Sequence, residues 1–198
     1  RFFTMTELRY RGQGLTRIPD EVWETPDLET LELGENVLTE IPPEIGTLRN
    51  LKHLFLYGNP FETLPDSIGN LANLRGLDLG HGALRQVPES IGNLSNLEFL
   101  YLHENQIETL PDVFAGLQKL IYLNVGEQPL QALPGSIGAM QNLQELRAAL
   151  SKLTALPDSI GELSNLRELH LVKNQIPALP ESIGLLANLR RLYLKDNP

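Results

Sequence analysis

The chain has 198 residues, 41% of them apolar, with 16 Lys and Arg against 25 Asp and Glu and a formal net charge of -9. This balance argues against nucleic acid as a partner, because phosphate backbones are held by clustered basic side chains. Cysteine is absent, which removes disulfides and thiolate chemistry and favours an intracellular compartment, and no apolar run approaches the ~18 residues of a membrane span.

From Met5 onward an apolar residue recurs every 23 positions, at Leu28, Leu51, Leu74, Leu97, Leu120, Leu143, Leu166 and Leu189, with no insertion or deletion. A fixed period of this length means stacked units, each covering its apolar face with its neighbours. The first unit continues with Leu8 and Tyr10, and those two columns run on through Leu31 and Leu33 to Leu192 and Leu194. Their L-x-L alternation predicts a strand.

Between the third and fourth strands, "LPDSIGNLANLRGLDLG" (residues 64–80) changes apolar spacing from four to three to two. That drift predicts a short helical turn leading into a strand. An acid follows Pro at Asp20, Asp66, Glu89, Asp112, Asp158 and Glu181. Proline's fixed φ suits a helix start, and a carboxylate there complements the free N–H groups by roughly 0.3–1 kcal/mol. Part of the negative charge thus has a structural origin. The serines that follow (Ser67, Ser90, Ser136, Ser159, Ser182) are assigned to the same turns. The seventh unit, "LQELRAALSKL", departs from the pattern at Ala148 and Ser151, which predicts a looser or bent coil there. "LKDNP" stops inside the ninth unit with no cap, and only Phe2 and Phe3, beside Arg1, are offered to cover the first. Both ends suggest a piece of a longer protein.

"LETLELGENVL", "LEFLYLHENQI" and "LRELHLVKNQI" resemble the unit L-x-x-L-x-L-x-x-N-x-L of the leucine-rich repeat family, and within it the 23-residue intracellular type of Ras-associated, Roco-like and bacterial proteins. The resemblance covers residues 1–198, a single domain of about eight and a half units. It implies an α/β fold: a right-handed solenoid with a concave parallel β-sheet and short helical or 3-10 turns on the convex side. It also implies an attached GTPase, kinase or ligase domain, with nothing in these residues to choose among the three. The position of the family's Asn reads Gln13, Asn36, Asn59, Gly82, Asn105, Gln128, Ser151, Asn174 and Asn197. An inward amide there is expected to pair backbone groups of successive turns.

Function is sought where the repeat leaves residues free. Strand side chains alternate, so the positions flanking each Leu pair face outward and line the concave face. His53, Phe55, Tyr57, Asp78, Phe99, Tyr101, His103 and Tyr122 gather there in the third to sixth units, with Gly76 and Gly80 between them. Five of the chain's eleven Phe and Tyr fall in this stretch, about 15 Å along the coil at ~4.8 Å per strand. Aromatic clusters mark interaction surfaces, so the expectation is one aromatic patch that binds a protein partner. Stacking of the rings on each other as cross-strand pairs is the bland alternative. Arg147, Arg167, Lys173, Arg190, Arg191 and Lys195 predict a basic stretch toward the C-terminus.

No cofactor, metal or catalytic residue is expected, since no nucleophile and base, phosphate loop or metal motif occurs. His81 and His103, with Asp78 and Glu104 nearby, form the one spacing suited to a metal or a pH-sensitive contact, and are read as contact or solvated residues. The second functional reading is a structural or regulatory domain that packs on its own chain or forms a homodimer through exposed solenoid ends. The setting is then the cytoplasm, or a host cytosol for a delivered bacterial effector.

Overall fold

The computed structural model describes residues 6–198, so Met5 and the candidate cap Arg1, Phe2 and Phe3 lie outside the described residues. Each L-x-L alternation forms a three-residue strand: β1 Glu7–Arg9, β2 Thr30–Glu32, β3 His53–Phe55, β4 Gly76–Asp78, β5 Phe99–Tyr101, β6 Tyr122–Asn124, β7 Glu145–Arg147, β8 Glu168–His170 and β9 Arg191–Tyr193. They make one sheet in chain order. All pairings are parallel and each steps by one repeat, so that Leu8 meets Leu31, Leu31 meets Leu54, and Leu169 meets Leu192. The central leucines therefore stack in one inward column, fully buried from Leu31 to Leu54 and from Leu100 to Leu169.

The return path of each coil is a 3-10 turn, five residues long in Pro43–Thr47, Asp66–Asn70, Glu89–Asn93, Gly135–Ala139, Asp158–Glu162 and Glu181–Leu185. Pro65, Pro88, Pro134, Pro157 and Pro180 enter these turns with φ between -64° and -70°. Ile45, Ile68, Ile91, Ile137 and Ile160 point from them into the core and are fully buried. The Gly after each Ile is required by stacking: a Cβ at Gly69 would lie 2.5 Å from the Ser90 carbonyl oxygen, and one at Gly161 2.4 Å from that of Ser182.

One expectation about these turns needs correction. Asp112 is not in a helical turn, because the turn of its unit starts at Phe114. Its Oδ1 instead accepts the Ser136 N–H at 2.8 Å, and the hydrogen bonds from Ser136 hold the carboxyl below the usual range. Ser67 and Ser159 lie within the turns Asp66–Asn70 and Asp158–Glu162, as expected. Their hydroxyls donate to the preceding coil, at Pro43 O and Gly135 O, both at 2.7 Å.

The inward amides form the expected ladder. Asn59 donates to Leu33 O and Leu56 O, both at 2.9 Å, and accepts the Leu38 N–H at 3.1 Å. Asn105 repeats this with Leu79, Leu102 and Leu84. A second ladder lies at the residue before each unit's first Leu. Asn73, Asn96, Asn165 and Asn188 each donate to a carbonyl of the preceding coil at 2.7–2.8 Å.

The seventh coil is neither loose nor out of step. Leu146 and Ala148 are fully buried, and β7 keeps its register with both neighbours. Asn174 of the next coil makes its usual bonds to this one, to Ala148 O at 2.8 Å and from the Leu153 N–H at 3.1 Å, while Gln128 takes the two groups that an Asn at 151 would meet, Val125 O at 2.7 Å and the Leu130 N–H at 2.8 Å.

One column takes positive φ in every unit: Gly12, Glu35, Gly58, His81, Glu104, Glu127, Leu150, Lys173 and Asp196. The conformation aims the N–H along the coil axis, as from Leu150 to Val172 O at 2.8 Å. Leu150 is the costly member, with φ 53° and 47% exposure. Left-handed strain of about 1–2 kcal/mol for an L-residue exceeds the ~0.5–1 kcal/mol that glycine loses in backbone freedom. Leu150→Gly is thus expected to raise stability by about 0.5 kcal/mol, read from the urea midpoint at unchanged m-value.

Candidate functional site

The outward positions of β3 to β6 form the region of interest. Phe55, Asp78 and Tyr101 lie abreast on three adjacent strands, as do His53, Gly76 and Phe99. Between them is an open, mainly apolar recess of about 250 Å³, lined by His53, Phe55, Gly76, Leu77, Asp78, Phe99 and Tyr101. Gly76 keeps its floor low. A Cβ there would come within 2.9 Å of His53 Nδ1. Phe99, at 38% exposure, is the most open ring of the set.

The expectation of one aromatic patch is corrected by the ring directions. Tyr57 leans away from Phe55 toward the preceding coil, where a Cβ on Gly34 would sit 2.4 Å from its ring. The Arg11 guanidinium covers it at 5.7 Å from the ring centre, and that guanidinium is held by Glu35 at 2.8 and 3.0 Å. His53 stacks on Phe55 at 6.4 Å, while Tyr101 packs on Tyr122 at 4.9 Å. His103 lies over Gly80 and meets His81 edge-on at 4.7 Å. Small local pairs replace a single cluster, because rings fold down wherever a glycine in a neighbouring coil leaves room.

Electrostatics mark the floor of the recess. Burial pushes the Asp78 carboxyl up, against the opposing effects of the Gly80 N–H that it accepts at 3.0 Å and of His103. Burial likewise raises the Tyr101 and Tyr122 hydroxyls, so both rings present neutral phenols.

Two of the six basic residues of the C-terminal stretch are paired with acids within the chain. Arg147 pairs with Glu145 at 2.6 Å and Arg191 with Glu168 at 2.9 Å. His170 sits between those two carboxylates, at 3.5 and 3.3 Å. Among the described residues no helix is long and apolar enough to cross a membrane.

Residues 65–152 match a family described as leucine-rich repeat region, and residues 26–84 one described as leucine rich repeat. Internalin C2 of Listeria monocytogenes is 31% identical over 95% of this chain and 80% of its own, with a TM-score of 0.83. The chain belongs to the leucine-rich repeat family. A leucine-rich repeat protein of Leptospira interrogans is 35% identical, with a TM-score of 0.78, over 93% of this chain and 53% of that one. The ectodomain of the Arabidopsis thaliana receptor kinase GASSHO1/SCHENGEN3, solved in complex with CASPARIAN STRIP INTEGRITY FACTOR 2, is 33% identical over 91% of this chain and 22% of its own, with a TM-score of 0.81. The repeat array thus spans about half of the Leptospira protein and about a fifth of the plant receptor ectodomain. No protein of curated function matches it.

Proposed function

We propose that this leucine-rich repeat domain binds a protein partner on the concave face of its sheet, and that the recess over Gly76 takes an apolar side chain of that partner. The observation that carries the reading is the combination of a glycine floor with Phe55, Phe99 and Tyr101 around it. Rigid rings supply contact area at little cost in rotamer freedom, and a pocket beside them gives one anchor residue a place to be desolvated. Such repeat domains are typically non-catalytic binding modules, and the relative solved with its factor is an instance of ligand binding by this architecture. Asp78 at the recess floor favours an anchor that brings a hydrogen-bond donor next to its apolar part.

The test is a peptide selected from a random library on the wild-type domain and titrated against Phe55→Ser/Phe99→Ser/Tyr101→Ser. Binding at least tenfold weaker, with an unchanged circular dichroism spectrum, is the expected result. Gly76→Leu fills the recess from below and is expected to weaken the same peptide. Undiminished affinity in both folded variants overturns the reading.

A further inference from the structure

We propose that His81 and His103 form a binding site for a divalent transition-metal ion of the zinc, nickel or copper type, with Glu104 as the carboxylate that orients His81. The two Nε2 atoms face each other at 3.2 Å. An ion about 2.05 Å from each nitrogen would see them at an angle of about 100°, close to tetrahedral. The Nδ1 of His81 lies 2.7 Å from Glu104 Oε2. A carboxylate on the far nitrogen holds the proton there, leaves Nε2 with its lone pair and fixes the ring plane, as second partners of metal-bound imidazoles do.

Three features hold the pair in place before any ion arrives. The His81 N–H donates to the His103 carbonyl at 3.0 Å, tying the two coils beneath the rings. His81 takes φ 53°, the conformation shared by its whole column. Gly80 leaves the space in which the His103 ring lies, since a Cβ there would be 2.6 Å from ring carbon Cε1. The rings also border an open hollow of about 430 Å³ that includes Asp78 and Tyr57. Water or a partner's side chain has room there to complete the coordination. Imidazole donors select borderline ions over magnesium and calcium, which prefer oxygen.

A different triad, Glu145, Glu168 and His170, has comparable spacing, but Arg147 and Arg191 already occupy its carboxylates. It serves as the internal control. Zinc chloride titrated into the whole domain by calorimetry at pH 7.5 is expected to show one ion per chain, with no heat from magnesium. His81→Ala and His103→Phe should each weaken zinc at least tenfold. The Phe variant keeps a ring over Gly80, so its loss is not a loss of fold. Glu104→Gln is expected to weaken zinc by less than either, and His170→Ala to leave it unchanged. Absence of zinc binding, its survival in the His81/His103 double variant, or its loss in His170→Ala overturns the proposal.

Discussion

Replacing Asn105 by Ala should destabilise the domain by about 4 kcal/mol. The side chain is 2% exposed and makes three strong bonds, to Leu79 O at 2.8 Å, to Leu102 O at 2.9 Å and from Leu84 N at 2.9 Å. Removal leaves one N–H and two carbonyls buried beside an apolar methyl, at about 1–3 kcal/mol for each group that finds no other partner. Water entering the gap would recover some of this, which is why the expected sum lies below the upper bound. Asn105→Asp keeps the acceptor and loses both donations, so it should also be damaging. Equilibrium urea unfolding followed by circular dichroism checks both, and a loss under 1 kcal/mol for Asn105→Ala would mean that the ladder does not hold the coils.

Phe114→Ala should cost about 3–5 kcal/mol, the range for an aromatic ring deleted from a packed core. Phe114 is fully buried and stands where other coils have Ile. It anchors an irregular return path between β5 and β6, a turn of only three residues as in Asp20–Val22 of the first coil. The coil closes tightly there: a Cβ on Gly116 would come within 2 Å of the Gly92 carbonyl oxygen, so the backbone has little freedom to collapse into the cavity. For a chain of this size the loss corresponds to a fall in Tm of about 10 °C. Phe99→Ala, at an exposed ring, is the comparison and should stay within about 0.5 kcal/mol of wild type. Equal losses in the two variants would contradict the packing described.

The period was readable because a leucine column needs nothing but counting, and the strand positions and inward amides follow from it. Asn50, Asn73, Asn96, Asn142, Asn165 and Asn188 carried an equally regular signal, missed because their role depends on a carbonyl one coil away. The left-handed column was hidden for a different reason. Only Gly12 and Gly58 of its members are glycines, so the residue types do not advertise the conformation. At the candidate site, the sequence placed Phe55, Phe99 and Tyr101 on the outward face correctly but not their tilt. Ring direction is set by what stands 23 residues earlier or later, as Gly34 does for Tyr57. Asp112 fell outside its expected turn because Val113 replaces the usual Ser, and the turn begins one residue after it.

The constant step of one repeat between neighbouring strands bears on how such a molecule changes length. Every junction is a copy of the next, so a whole coil inserted or excised in the regular part creates no unfamiliar contact, and a gene can be shortened or extended there by recombination between its own copies. The stretch around His81, His103 and Phe114 is where this interchangeability ends, and a coil swapped into that place would remove the facing imidazoles or the Phe114 anchor while leaving the rest of the array standing.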